Sequence, residues 1–219
     1  MGRIENFLLQ GEAGRLEAFL KIPSGDPEPA AAAVVCHPHP LFGGTMHNKV
    51  VHAAGEAIVR AGLPVLRFNF RGVGMSAGSH DGGSGEVADV LVALRFLEER
   101  YPGLPLLQAG YSFGASVGLR AGCAAPSVHA LIAIGMPLVM DNAMFLTRCA
   151  KPLSIIQGEN DVFGPLPMVL ALAAAVPSGA RVLPVAGAAH NFAGRLDELA
   201  RHVDASIPAA MRPAPAPPR

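Results

Sequence analysis

The pentapeptide Gly110-Tyr-Ser112-Phe-Gly114 has the spacing of a serine nucleophile held on a sharp turn between a strand and a helix. The same G-x-S-x-G spacing occurs around Ser76, so spacing alone does not identify a nucleophile. An apolar run at 106–109 ends directly before the pentapeptide around Ser112, and a small-residue helical pattern follows it. Three residues separate the Ser76 pentapeptide from its preceding strand pattern, and a glycine-rich loop follows it. The sequence context therefore predicts that Ser112 is the nucleophile.

A serine hydroxyl is a weak nucleophile at neutral pH, and it needs a general base that is itself oriented by a carboxylate. Three histidines follow Ser112 along the chain: His129, His190 and His202. His190 lies in a loop directly after an apolar strand pattern, whereas the other two fall within a predicted strand and a predicted helix. Because the base has to stand on a loop at the carboxyl edge of the sheet, we predict that it is His190.

The orienting carboxylate is expected on a loop after one of the last strands. Glu159 and Asp161 both follow the next-to-last strand pattern. Asp161 is preferred, because the turn at Gly158 has to open before a side chain can reach His190. Asp141, which follows the preceding strand, is the third candidate, and a turn or helix-cap aspartate is the alternative interpretation of Asp161.

Short apolar runs that alternate with helical patterns predict the elements that position these residues. Two strands with a glycine turn between them predict an N-terminal β-hairpin over 3–10 and 15–22. Further strands are predicted at 32–37, 64–70, 105–109, 128–135, 153–157 and 181–185, and helices at 48–61, 85–100, 113–125, 142–149, 166–176 and 192–206. This alternation is typical of an α/β protein with a mostly parallel central sheet and helices on both faces.

The composition fits one domain over residues 1–207, followed by a proline-rich tail at 208–219 that we predict to be disordered. The 17 Lys and Arg residues balance 17 Asp and Glu residues without a basic run, so no nucleic-acid partner is expected. No apolar run approaches the ~18 residues of a membrane-spanning helix, and no signal peptide is recognised, so a cytoplasmic location is expected. The oligomeric state is left open.

Metal and disulfide chemistry are not predicted from the Cys and His residues. The three cysteines are odd in number and widely spaced, which favours buried reduced thiols: Cys36, Cys123 and Cys149. Four histidines cluster after the third predicted strand, without the carboxylate partner that a metal site of this kind requires: His37, His39, His47 and His52. The sequence therefore predicts neither a bound metal nor an organic cofactor.

With serine, acid and histidine in this order, the chain resembles the α/β-hydrolase superfamily, and more closely a group of small lidless bacterial hydrolases that are similar to dienelactone hydrolases. The resemblance covers nearly the whole chain before the tail. It is carried by CHPHPLFGGTMHNKVV at 36–51, FNFRGVGMS at 68–76, GYSFG at 110–114, QGEND at 157–161 and AHNF at 189–192. Dienelactone hydrolases have a cysteine where Ser112 stands, so their exact reaction is not implied. Asn191 stands where the group has an aromatic residue after its histidine.

The resemblance implies the α/β-hydrolase fold without a cap domain, and it makes Ser76 part of a structural glycine turn. An oxyanion hole is expected from the backbone amide of Phe113 and one amide of the loop after the third strand. Prolines in that loop have no N–H, which leaves His39 or Leu41 as the second donor. Similarity to the superfamily's loop favours His39.

We therefore predict a serine hydrolase of the carboxylesterase type that cleaves small to medium acyl esters through an acyl-enzyme. The residues expected to line its substrate pocket are Leu41, Phe42, Met136, Met140 and Phe163. A thioesterase or a peptidase/amidase with the same triad is the alternative enzyme. A non-catalytic binding module on the same fold is a further alternative.

Overall fold

The structure, a computed structural model, describes residues 2–25 and 28–213. Within them, eight strands form one sheet: β1 (Arg3–Gly11), β2 (Gly14–Ile22), β3 (Ala32–Cys36), β4 (Val65–Phe68), β5 (Leu106–Tyr111), β6 (Val128–Ile134), β7 (Leu153–Gly158) and β8 (Ala180–Val185). Their spatial order is β1-β2-β4-β3-β5-β6-β7-β8. The hairpin β1–β2 and the β2–β4 pair are antiparallel, and all other neighbours are parallel. The predicted mostly parallel sheet with an N-terminal hairpin is confirmed.

Helices cover both faces of this sheet: α1 (Lys49–Arg60), α2 (Ser84–Arg100), α3 (Phe113–Ala124), α4 (Leu166–Ala175) and α5 (Leu196–Ala205). Helices α1 and α5 bury their apolar residues against one face, and α2, α3 and α4 cover the other. Every residue of β3, β5 and β7 is buried. Burial on both faces explains why these strands are nearly continuous apolar runs rather than alternating ones. None of the helices in the described part of the chain is long and apolar enough to cross a bilayer.

The segment between β6 and β7 is too short for a cap domain. Residues 135–152 contain one 3₁₀ helix, Met144–Arg148, and otherwise turns and extended chain. The predicted short helix is therefore present, and the carboxyl edge of the sheet is left without a lid. Helix α5 begins at Leu196 rather than at 192, because Phe192 (φ 51°) and Gly194 (φ 72°) have left-handed backbone conformations that no right-handed helix accepts.

The prediction of three reduced thiols is wrong, because Cys123 and Cys149 form a disulfide with 5.6 Å between their Cα atoms. The bond joins the end of α3 to the chain that leads into β7. Cys36 is a free thiol inside the core, where burial raises its pKa to about 12. Disulfides persist in oxidising compartments, and the cytoplasmic location predicted from the sequence stays a prediction.

The prediction of a disordered tail is wrong for residues 208–213. A 3₁₀ helix spans Ala209–Met211, and the Met211 side chain is buried in the apolar cluster beneath α1 and α5. Burial of this one apolar side chain gives residues 208–213 a fixed place on the domain. The rest of the predicted tail, 214–219, lies outside the described residues.

Candidate active site

Ser112 stands at the turn from β5 into α3, at the carboxyl edge of the sheet. Its φ of 55° and ψ of −120° are strained for a residue with a side chain, at a cost of about 1–3 kcal/mol. The flanking glycines are required by crowding around this turn. A methyl group at Gly110 would collide with the carbonyl of Gly114, and one at Gly114 would collide with the carbonyl of His37. The local geometry is that of a nucleophile elbow.

The structure brings Ser112 together with the predicted base and acid. Nε2 of His190 lies 2.9 Å from Oγ of Ser112, and Nδ1 of the same ring lies 2.7 Å from Oδ2 of Asp161. The Asp161 side chain is fully buried, and it accepts further hydrogen bonds from Nε2 of Gln157 at 2.9 Å and the amide of Phe163 at 3.0 Å. A carboxylate held by donors on every side fixes the Nδ1–H tautomer of His190. Its Nε2 is then free to accept the Ser112 proton.

The His190 loop accommodates Asn191 without losing this geometry. Asn191 is exposed, and its Oδ1 accepts a hydrogen bond from the amide of Ala193 at 3.0 Å. The left-handed turn at Phe192 lets the next aromatic ring enter the core, where it packs edge-on against Tyr111. The Tyr111 hydroxyl in turn donates to the His190 carbonyl at 3.0 Å. Phe192 is thus the aromatic residue of this loop, and it stands two positions after His190 rather than directly after it.

The two other candidate acids are occupied elsewhere. Glu159 is exposed and accepts a hydrogen bond from the Gly187 amide at 2.9 Å. Asp141 forms a bidentate pair with the Arg120 guanidinium, with N–O distances of 2.7 and 2.8 Å. Neither carboxylate is hydrogen-bonded to His190, so the geometry favours Asp161 as the orienting acid.

Ser76, the serine of the second pentapeptide, has a structural role. Its Oγ donates to the Asn69 carbonyl at 2.7 Å and accepts from the Glu17 amide at 2.9 Å. These bonds tie the turn after β4 to β2. A side chain at Gly74, which has a φ of 58°, would collide with Glu17 and Asn69. The Ser76 hydroxyl therefore makes both of its hydrogen bonds, one as donor and one as acceptor, to backbone groups.

The two residues predicted to donate to the oxyanion, Phe113 and His39, are neighbours in the structure. Phe113 is the first residue of α3, His39 precedes the 3₁₀ helix Pro40–Phe42, and their rings are 4.8 Å apart. Within the described residues, no group accepts a hydrogen bond from the amide of Phe113 or of His39. The Leu41 amide, in contrast, donates to Nδ1 of the His39 ring at 3.2 Å. This difference favours His39 over Leu41 as the second donor.

A cavity of about 1200 Å³ opens beside Ser112. Three of the five predicted pocket residues line it: Phe42, Met140 and Phe163. The other two predictions are wrong. Leu41 is exposed outside the cavity wall, and Met136 packs into the apolar core because its backbone amide is anchored on Oε1 of Gln157.

Two basic side chains of the cavity wall were not predicted from the sequence. His80 and Arg120 both face the cavity. A signal for His80 was present in the glycine-rich loop before α2, where Glu86 is the third residue of the helix and caps its first turn. A carboxylate in that capping position points back towards the loop, and so towards His80. Arg120 lies about two helical turns after Ser112 in α3, but nothing in the surrounding sequence indicates that its side chain lines the cavity.

His37 is a structural residue. Its ring is fully buried, Nδ1 donates to the Pro38 carbonyl at 2.6 Å, and Nε2 accepts from the Phe70 amide at 3.0 Å. Burial lowers the pKa of His37 to about 4. Across the described ranges, no three His, Cys, Asp or Glu side chains lie close enough to hold a metal ion.

We expect His37 to make the fold sensitive to mild acid. The unfolded chain takes up a proton on this ring near pH 6.5, whereas the folded ring does so only at about pH 4, so stability is lost as the pH falls between these values. The free energy of unfolding should fall by about 3 kcal/mol across the window. Urea unfolding at a series of pH values measures it. His37→Gln, which keeps an acceptor for the Phe70 amide, should flatten this dependence; an unchanged slope would assign it to other groups.

Comparison with known proteins places this geometry in a family. Residues 27–159, more than half of the chain, match the α/β hydrolases described as Serine aminopeptidase, S33. An uncharacterized protein of Rickettsia prowazekii (strain Madrid E) is 40% identical over 156 residues, which cover 69% of this chain and 64% of that protein. The chain thus matches somewhat less than two thirds of the length of this relative.

Two solved structures are similar over nearly the whole chain. An alpha-beta serine hydrolase homologue from Coxiella burnetii is 38% identical with a TM-score of 0.88, and the match covers 95% of this chain and 99% of that one. A serine hydrolase without a lid from Xanthomonas campestris is 32% identical with a TM-score of 0.86, and the match covers 93% of each chain. By the family match, the chain belongs to the S33 serine aminopeptidase family of α/β hydrolases.

Proposed function

We propose that this protein is a serine esterase in which Ser112 is the nucleophile, His190 the general base and Asp161 the group that orients it. The observation that carries the proposal is the continuous hydrogen-bonded chain from Oγ of Ser112 through His190 to Asp161, with distances of 2.9 and 2.7 Å. The strained backbone of Ser112 supports it, because such strain persists where function requires the geometry. A binding module has no need of this arrangement.

The reaction follows from these positions. Oγ of Ser112 attacks the ester carbonyl while its proton passes to Nε2 of His190, and Asp161 stabilises the resulting imidazolium through Nδ1–H. The amides of Phe113 and His39 receive the negative charge that develops on the carbonyl oxygen. Collapse of the tetrahedral intermediate breaks the bond to the alcohol oxygen, which takes the proton from His190. Water then attacks the acyl-enzyme by the same route and releases the acid and Ser112.

The cavity supports small to medium acyl groups. Without a lid, the active site is open to solvent, and apolar side chains stand at its rim: Phe42, Met140 and Phe163. These side chains provide an apolar surface for an acyl chain. An open site also leaves the acyl-enzyme accessible to the water that hydrolyses it.

The charges of the cavity favour esters over peptides with a free amino terminus. Recognition of an ammonium group requires a carboxylate that is available to it. Among the described residues that line the cavity, Asp141 is the one acidic side chain, and Arg120 already neutralises it. Matched ester, thioester and amide substrates with the same acyl group separate the esterase from a thioesterase or a peptidase/amidase.

The proposal is tested by covalent labelling. A fluorophosphonate probe reacts with an activated serine, and peptide mapping of the labelled protein identifies the modified residue. We expect a single adduct on Ser112, which disappears in Ser112→Ala and persists in Ser76→Ala. An adduct on another serine, or a folded wild-type protein that takes no label, would contradict the proposal.

We expect hydrolysis to survive exhaustive treatment with EDTA. The proposed triad activates its nucleophile through His190 alone, so it requires no metal-bound hydroxide. Initial rates before and after chelation and dialysis, with and without added Zn²⁺, provide the measurement. Loss of activity with EDTA that zinc restores, together with full activity in Ser112→Ala, would exclude the serine mechanism and direct attention to the histidines near His39.

A further inference from the structure

A second histidine–carboxylate pair borders the cavity. Nδ1 of His80 lies 2.8 Å from Oε1 of Glu86, whose side chain is fully buried. Burial alone would raise the pKa of Glu86, but hydrogen bonds from the amides of Asp81 and Gly83 and the nearby His80 lower it below its usual value. The carboxylate is therefore ionised, and it accepts the Nδ1–H of His80. No group among the described residues hydrogen-bonds to Nε2 of this ring, which lines the cavity.

The His39 ring lies beside this pair. The ring centroids of His39 and His80 are 4.7 Å apart, and the two rings form no hydrogen bond with each other in the described structure. Because Nδ1 of His39 accepts the Leu41 amide, the neutral ring carries its proton on Nε2. Burial, followed by the proximity of His80, lowers the pKa of His39 and keeps it neutral.

Both rings are next to the reaction centre. They pack against the ring of Phe113, the residue after the nucleophile, with centroid distances of 4.8 Å from His39 and 5.5 Å from His80. A group bound between them would lie on the Phe113 side of the cavity, close to the ester carbonyl.

We propose that His39 and His80 bind a carboxylate of the substrate, so that the preferred esters are half-esters of short dicarboxylic acids. The inference rests on the proposed esterase function. Neutral His39 donates through Nε2–H, and His80 donates through Nε2 in its imidazolium form. One carboxylate accepts both bonds, and the charged one is the stronger of the two. Buried Glu86 orients the His80 ring and balances its charge.

The other charged groups of the cavity are already paired. Both terminal nitrogens of Arg120 are bonded to Asp141, and they also donate to the carbonyls of Ser116 and Asn142. His190 is used by the triad. The carboxylate of Asp81, next to His80, accepts a hydrogen bond from the Gly85 amide and lies 3.9 Å from the Arg71 guanidinium. Among the described titratable side chains that line the cavity, His39 and His80 are therefore the two whose Nε2 atoms have no hydrogen-bond partner.

The test compares matched substrates in the full-length protein and in His80→Phe, which keeps an aromatic ring against Phe113. The substrates are the monomethyl esters of malonate, succinate and glutarate, each paired with its methyl-ended analogue: methyl propionate, methyl butyrate and methyl pentanoate. Methanol release gives kcat and KM separately. For at least one pair we expect His80→Phe to raise KM for the half-ester about tenfold, with little change in kcat or in KM for the neutral ester.

Two controls make the outcome specific. His80→Asn, whose shorter side chain does not reach the same place, should give the same selective rise in KM and replaces His80→Phe if that variant does not fold. His52→Phe, at an exposed histidine of α1 outside the cavity, should leave all six substrates unaffected. Equal changes for both members of every pair, or no change in any pair, would overturn the carboxylate site. Failure of the wild type to hydrolyse even the neutral esters would instead overturn the proposed esterase function.

Discussion

Ser112→Ala is expected to lower kcat for ester hydrolysis by about 10⁶-fold, because the substitution removes the atom that forms the acyl-enzyme. The methyl group that replaces CH₂OH fits the elbow without a new contact, so the fold should be retained. His190 keeps its bond to Asp161, and the oxyanion donors keep their places, so the variant should still bind substrate. Steady-state kinetics with a short-chain ester, together with thermal unfolding of both proteins, measures activity and stability side by side.

Ser76→Ala is the matched control, since both serines occupy the centre of a G-x-S-x-G sequence. The Ser76 hydroxyl satisfies the Asn69 carbonyl and the Glu17 amide, so its loss should cost about 1–3 kcal/mol of stability. The folded enzyme should keep most of its activity. A Ser76 variant that is folded and inactive, beside an active Ser112 variant, would show that the elbow has been assigned to the wrong serine.

The sequence could identify Ser112 because the evidence for it is local. The strand before the pentapeptide and the helix after it are both visible in the chain around that residue, and the structure has them as β5 and α3. His190 could be predicted although it is 78 residues away. Parallel strands bring the loops after their carboxyl ends to one edge, so chain order and strand pattern together place His190 beside Ser112.

Features that depend on three-dimensional distance could not be predicted in this way. Cys123 and Cys149 are 26 residues apart, and no spacing pattern specifies that the end of α3 meets the chain before β7. The burial of Met136 and the exposure of Leu41 depend on backbone direction within loops, where apolar character alone does not distinguish lining from core. Met211 is a single apolar residue in a proline-rich segment, which is too weak a signal for order.

The orienting acid could be predicted only in part from the sequence, which left three candidate carboxylates. The strand pattern limited the candidates for the orienting acid to carboxylates that follow β6 or β7. In the structure, these candidates differ in their hydrogen bonds. Asp161 is buried against His190, Glu159 caps a loop amide, and Asp141 is paired with Arg120. Each carboxylate therefore has a distinct role, and substitution by the isosteric amide should reveal it.

Asp161→Asn is expected to lower kcat by about 10⁴-fold, a loss close to that of a related triad. Gln157 and the Phe163 amide both donate to Asp161, and Gln157 cannot turn over, because its Oε1 holds the Met136 amide and its Nε2 also holds the Gly164 carbonyl. The Phe163 amide donates to Oδ1, whereas Gln157 and His190 both donate to Oδ2, so a carboxamide cannot satisfy all three. With its oxygen at the Oδ2 position, it leaves the Phe163 amide unpaired and carries no charge to stabilise the imidazolium. With its NH₂ group at that position, the NH₂ group faces Nδ1 of His190. The imidazole must then accept there and carry its proton on Nε2, where it cannot receive the Ser112 proton.

The controls for this prediction are Glu159→Gln and Asp141→Asn, which remove the same charge from the other two candidates. Both should retain most of the wild-type kcat, because neither carboxylate is hydrogen-bonded to His190. Asp141→Asn releases the Arg120 guanidinium at the cavity wall, so its effect should fall on KM. Rates for all three variants with one ester, measured at the same pH, decide between them. If Asp141→Asn showed the largest loss in kcat, the acid would lie after β6, and the hydrogen bond between Asp161 and His190 would be structural rather than catalytic.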